Sequence, residues 1–111
     1  MVTTTHPPAP PEEMASNAQH AAAFLKTLAH EGRLMILCHL GSGEKSVGEL
    51  EELLSIRQAA VSQMLARLRE EGLVTTRRDG KTIYYSLAND STSRVIGLLY
   101  DMFCADNEGN C

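Results

Sequence analysis

Apolar residues recur at helical intervals over most of the chain and switch to a β-like composition in one stretch of its last third. From Asn17 onward, Ala21, Phe24, Leu25 and Leu28 fall three and four apart, which predicts a first helix interrupted at His30-Glu31-Gly32. Residues Arg33 to Leu40 follow as a second helix, apolar on almost every side and therefore expected to be buried all round. Gly41-Ser42-Gly43 stops it. Ser46, with Glu49 three residues later, has the spacing of a capping box and opens a third helix with Val47, Leu50, Leu53 and Leu54 on one face. Ser55 to Arg57 make a turn, and a fourth helix runs from about Gln58 to Glu71 with Val61, Met64, Leu65 and Leu68 inward. Gly72 ends it.

The next segment is of another kind. Val74 to Arg78 and Lys81 to Leu87 are rich in β-branched and aromatic residues, and Asp79-Gly80 between them is a two-residue hairpin signal. Asp90 or Ser91 then opens a last helix reaching to about Cys104. Its Val95, Ile96, Leu98, Leu99, Met102 and Phe103 are too many for one narrow stripe, so this helix must cover a second surface. The simplest way is a homodimer built through the first and last helices. The expected fold is mainly α with a small β-hairpin: four helices, two strands and a fifth helix, the order of a winged helix-turn-helix.

Composition sets the boundaries. Residues 1–16 hold four prolines and three consecutive threonines and read as a disordered tail. Residues 17–104 form one domain for DNA binding and dimerisation, and 105–111 a flexible C-terminal tail. Hydrophobic content of 43% and charged content of 22% are ordinary for a soluble globular chain. No apolar run approaches the roughly 20 residues needed to span a bilayer, and no basic segment precedes an apolar one at the start. A cytoplasmic protein without a membrane partner is expected.

The net charge of −4 speaks at first against nucleic acid, but it is unevenly placed. From Arg57 to Lys81 six cations face three acids, so that block carries +3 and the remainder −7. A local basic face suffices for phosphate contacts, which act within a Debye length of about 8–10 Å. In a helix-turn-helix the second helix enters the major groove and presents its N-terminal residues to base edges. Those residues would be Gln58, Ala59, Ser62 and Gln63: glutamine suits adenine, serine bonds either way, and alanine fits a thymine methyl. Arg67 would reach phosphate, and Arg77, Arg78 and Lys81 would grip backbone or minor groove from the hairpin. Double-stranded DNA is the partner these residues point to.

The run Ala59-Ala60-Val61-Ser62-Gln63-Met64-Leu65-Ala66-Arg67-Leu68-Arg69-Glu70-Glu71-Gly72-Leu73-Val74, followed by Arg78-Asp79-Gly80-Lys81-Thr82-Ile83-Tyr84-Tyr85-Ser86-Leu87, resembles the signature of the ArsR (or SmtB) family of transcriptional repressors. Leu28 to Leu34 resembles the family's join between first and second helices. The resemblance implies a dimeric repressor that binds an inverted-repeat operator and leaves DNA when an inducer binds.

Many members of that family sense metals, and the motifs for doing so are missing here. The third-helix segment Gly48 to Leu53 has no cysteine, and no histidine follows His39 to complete a last-helix site. No metal site and no cofactor is expected. What remains is Cys38 on the second helix and Cys104 at the end of the last, a placement similar to the sulfide-responsive, SqrR/BigR-like branch of the family. The resemblance implies that these two thiols react with reactive sulfur species, persulfides or polysulfides, to form an intramolecular sulfur bridge that lowers DNA affinity. Two other inducers stay open: an oxidant acting through a thiol–disulfide (peroxide-type) switch at the same cysteines, or a thiophilic metal. A winged-helix module that binds protein instead of DNA is a further alternative. Cys111 reads as a bystander. No nucleophile–base pair and no phosphate-cradling glycine loop is present, so the chain is not expected to be an enzyme.

Overall fold

The computed structural model describes residues 10–104, which form eight elements. These are α1 (Pro11–Leu28), α2 (Glu31–Leu40), β1 (Lys45–Ser46), α3 (Val47–Leu54), α4 (Gln58–Glu70), β2 (Val74–Asp79), β3 (Thr82–Leu87) and α5 (Asp90–Phe103). The fold is the expected winged helix-turn-helix, mostly helical with an antiparallel hairpin, and it differs from the pattern-based expectation in several places.

The first helix begins at Pro11, not at Asn17. A proline at the first helical position lacks only an N–H that would have no helical partner there, and Glu12 and Glu13 in the first turn complement the helix dipole. Part of the segment expected as a disordered tail is therefore helical. The rest of it, residues 1–9, and the expected C-terminal tail, 105–111, lie outside the described residues. Only the end of α1 is anchored: Thr27 and Leu28 are buried, and Arg33 Nε donates to the Thr27 carbonyl at 3.0 Å. His30 caps α2, its Nδ1 accepting from the Arg33 N–H at 3.3 Å.

The capping box forms as its spacing demands. Glu49 N–H donates to Ser46 Oγ at 3.2 Å, and Ser46 N–H to Glu49 Oε1 at 2.8 Å. Ser55 closes α3 in the left-handed region (φ 56°) and turns the chain into α4.

The hairpin register pairs Asp79 with Thr82, so the turn residues are Gly80-Lys81 and not Asp79-Gly80. Gly80 supplies the positive φ of 65° that the turn needs. A strand the sequence did not disclose, β1, adds to the free edge of β3 (Lys45↔Tyr85, Ser46↔Tyr84), giving the order β1-β3-β2.

The core gathers Ile36, Leu37 and Leu40 of α2, Leu50 of α3, Val61, Leu65 and Leu68 of α4, Leu73 and Val74 at the start of the wing, and Ile96 of α5. Helix α2 is not buried all round: Met35 is 41% exposed. Leu53 likewise points outward on α3, at 49%. Where α2 meets α4 the approach is close, since a Cβ on Gly32 would come within 2.5 Å of Met64 Sδ. Among the described residues no helix is long and apolar enough to cross a membrane.

Leu65 is fully buried at the centre of this core. Leu65→Ala should cost about 2–5 kcal/mol of unfolding free energy, read from urea denaturation. A loss under ~1 kcal/mol would contradict the packing described.

Candidate nucleic-acid interface and thiol cleft

Helix α4 presents Gln58, Ala59, Ser62 and Gln63 to solvent, while Val61, Leu65 and Leu68 hold its other side in the core. The alternation follows from the helical period, which makes the polar set one outward stripe over the first turns. Arg57, at the N-cap of α4, is exposed beside this stripe. The cations expected to reach phosphate are not equivalent. Arg78 and Lys81 are exposed at the wing. Arg67 is paired with Glu71 one turn on, Nε to Oε2 at 3.5 Å.

Arg77 is held differently. Its guanidinium forms a forked pair with Glu44 (Nε to Oε2 3.2 Å, Nη2 to Oε1) and lies over the Tyr84 ring, Cζ 4.9 Å from the centroid. The Arg77 hydrogen bond keeps the Glu44 carboxyl below the usual carboxylate range, and Glu44 in turn raises Arg77 above its ordinary value. Arg77 is thus a tied cation instead of a free one. Glu44 does not stand out in the sequence. Glu44 lies 33 positions from its partner, and only the pairing of β1 with β3 brings the two together.

A cleft of about 450 Å³ opens between α2, the end of β3 and α5. Cys38, Gly41 and Ser42 form one wall, and Ile96, Tyr100 and Asp101 the other. Cys38 is half-buried with a free thiol, and burial pushes that thiol above its ordinary pKa. Cys104 follows one turn after Tyr100: its N–H donates to the Tyr100 carbonyl at 2.7 Å, and its side chain is 5% exposed. It is disulfide-bonded, and not to Cys38. The structure therefore brings Cys38 and the last turn of α5 to one cleft without joining the two sulfurs. Cys111 lies outside the described residues. Among the described residues no group of three or more His, Cys, Asp or Glu side chains is arranged to hold a metal ion.

Comparison with known proteins converges on one family. The family described as bacterial regulatory protein, arsR family, matches residues 30–76, which span α2, α3, α4 and the start of the wing. The biofilm growth-associated repressor of Agrobacterium fabrum is 54% identical over 95 residues, covering 86% of this chain and 81% of that protein. The structure of reduced HlyU from Vibrio cholerae superposes with a TM-score of 0.80 at 44% identity, over 84% of this chain and 98% of that one. A homodimeric winged helix-turn-helix DNA-binding domain from Mycobacterium bovis gives 0.75 at 29% identity, over 85% and 87%.

The raised pKa of Cys38 has a kinetic signature. Only the thiolate is nucleophilic, so alkylation of Cys38 by iodoacetamide, followed by peptide mass spectrometry, should rise about tenfold per pH unit from roughly pH 7 to 8.5. The rise should not flatten near the ordinary thiol value of about 8.5. A plateau already reached by about pH 7.5 would contradict it.

Proposed function

The chain belongs to the ArsR family of bacterial regulatory proteins and is a DNA-binding transcriptional regulator, not an enzyme, and from that premise we propose that it is a homodimeric repressor whose operator affinity is set by sulfur chemistry in the Cys38 cleft. The observation that carries the reading is the cleft itself, which faces Cys38 with the turn of α5 that leads to Cys104.

Output runs through α4 and the wing. Gln58, Ala59, Ser62 and Gln63 read base edges of an inverted-repeat operator, and Arg67, Arg78 and Lys81 contact phosphate. Arg77 contributes less to phosphate binding because Glu44 neutralises it. Dimerisation uses α1 and α5. The first three turns of α1 are exposed, and Leu25, Leu98, Met102 and Phe103 present apolar surface at 59–63% exposure. The M. bovis relative is described as homodimeric, which supports the same arrangement here.

Input is an exchange at two thiols. The Cys38 thiolate attacks the central sulfur of an organic trisulfide and displaces one thiolate. The thiolate of reduced Cys104 then attacks the same sulfur and displaces the second. Two protein thiols and one trisulfide thus become a Cys38–S–Cys104 bridge with one retained sulfane sulfur, plus two small thiols; the trisulfide is the two-electron oxidant, its outer sulfurs leaving as thiols, and no other is needed. The bridge ties α5 to α2 and weakens DNA binding by about 5–150-fold, the range of ordinary allosteric coupling. A second reading is a thiol–disulfide switch between the same two cysteines, in which oxidation alone suffices once Cys104 is reduced. One relative's structure is described as the reduced form, so redox state is distinguished in that protein.

Two measurements test the halves separately. For output, Arg78→Ala and Lys81→Ala should each reduce the slope of log affinity against log salt by about 0.9, with Arg77→Ala changing it less. Equal slopes in all three variants and wild type would remove the wing from the interface. For input, the pre-reduced protein treated with glutathione trisulfide should gain one sulfur atom and lose two hydrogens in intact mass, lose both thiols and release the operator. Cys38→Ser and Cys104→Ser should stay bound. Loss of two hydrogens with no sulfur gained would select the disulfide reading, and release of both variants would exclude these thiols as sensors.

A further inference from the structure

Glu44 and Arg77 meet across the face of the wing. In the order β1-β3-β2 the outer strands lie two strand spacings apart, about 9–10 Å, with β3 between them. Arg77 on β2 stands opposite Tyr84 on β3, which stands opposite Ser46 on β1. Glu44, two residues before Ser46, reaches over that central strand to take the guanidinium, which rests on the Tyr84 ring. The pair spans the sheet from one edge to the other.

Its carboxylate end is tied to the thiol cleft. Gly41 and Ser42, only three and two residues before Glu44, line the same cavity as Cys38. The intervening loop is hydrogen-bonded to the last turn of α2 along its length. Gly41 N–H donates to the Cys38 carbonyl at 3.2 Å, Ser42 Oγ to the His39 carbonyl at 2.9 Å, and Gly43 N–H to the Leu40 carbonyl at 3.1 Å. Lys45 Nζ fastens the far side to Ser42 Oγ at 3.4 Å and to the Gly43 carbonyl at 3.3 Å. A loop held in this way follows the end of α2 when it moves. The guanidinium end sits on β2, two residues before Asp79 and the wing tip.

We propose that Glu44 and Arg77 are positioning residues that transmit the state of the Cys38 cleft to the wing: bridging Cys38 shifts the end of α2 and its loop, and the ion pair swings β2 and its tip out of register with the DNA backbone. This rests on the reading of the cleft as the inducer site. An exposed pair of this kind adds little to folding stability, so its removal should leave the fold in place and change the coupling. Asp79, 4.0 Å from Arg77 Nη1, is on the same strand as Arg77 and cannot replace the tie to the loop.

The test compares wild type, Glu44→Gln, Arg77→Gln and the charge-swapped double variant E44R/R77E, each pre-reduced and then treated with glutathione trisulfide. Thermal unfolding confirms folding, operator titration at fixed salt gives affinity, and amide hydrogen exchange follows β2 and β3. Wild type should lose about 5–150-fold in affinity on treatment. Glu44→Gln should take up the same sulfur, keep its unfolding midpoint, lose less than about threefold and show no change in wing exchange. Arg77→Gln should behave alike, and the double variant should regain most of the response. If wild type is released and Glu44→Gln is released equally, the transmission role is wrong while the cleft reading stands. The transmission role is equally wrong if both single variants fail to respond and the swap does not restore them. If wild type itself is not released, the cleft reading fails and the transmission role with it.

Discussion

Everything in this domain depends on α2 having to satisfy two surfaces at once. Ile36, Leu37 and Leu40 are buried in the core against the helix-turn-helix, and each such side chain contributes about 1.5–3 kcal/mol by leaving water. On another side the same helix lends Cys38 to the wall of a cleft whose opposite wall is α5. Gly32 lets its first turn approach Met64 of α4 more closely than any side chain would allow without displacing that methionine. A packed interior transmits displacement because it cannot absorb it. A helix fixed by its core face and altered at its cleft face is therefore a natural place for a chemical event to be felt by α4, which shares that core.

The electrostatics follow the same division. The acidic body of the chain keeps non-specific attraction to nucleic acid low, while the cations are concentrated on α4 and the hairpin. Those cations differ in kind once folded. Arg78 and Lys81 stand exposed, and Arg77 is committed to Glu44 and to the Tyr84 ring. A count of basic residues treats the three alike, whereas the sheet's register separates one paired cation from two exposed ones.

What could be read from the chain was what is local. The capping box at Ser46 and Glu49, the helical stripe of Val61, Leu65 and Leu68, and the β-rich hairpin each declare themselves within a few residues, and each formed. The proline-rich start misleads because proline at a helix's first position costs nothing that proline inside a helix would cost. Strand β1 is two residues long and has no pattern of its own; it exists because β3 offers a free edge. The Glu44–Arg77 pair and the outward face of Met35 depend on which elements become neighbours, and periodicity along one segment carries no such information. The two cysteines show the limit most clearly. Their types and positions suggest a common chemistry, but the cleft beside Cys38 arises only from how α5 and the end of β3 lie on α2.

In the proposed function, input and output are separate places joined by packing: a thiol cleft between α2 and α5, and a reading surface made of α4 and the wing. The central claim is that chemistry in the first moves the second. It is tested most directly by the distance between the two α4 helices of the dimer, measured by pulsed electron paramagnetic resonance with a non-cysteine spin label at Ala66. In the reduced protein that distance should match half-sites one DNA turn apart, about 34–36 Å, allowing for the label. After reaction with glutathione trisulfide the distribution should shift away from that spacing. A distribution unchanged by a treatment that does release the operator, with amide exchange of β2 and β3 unchanged as well, would contradict the claim.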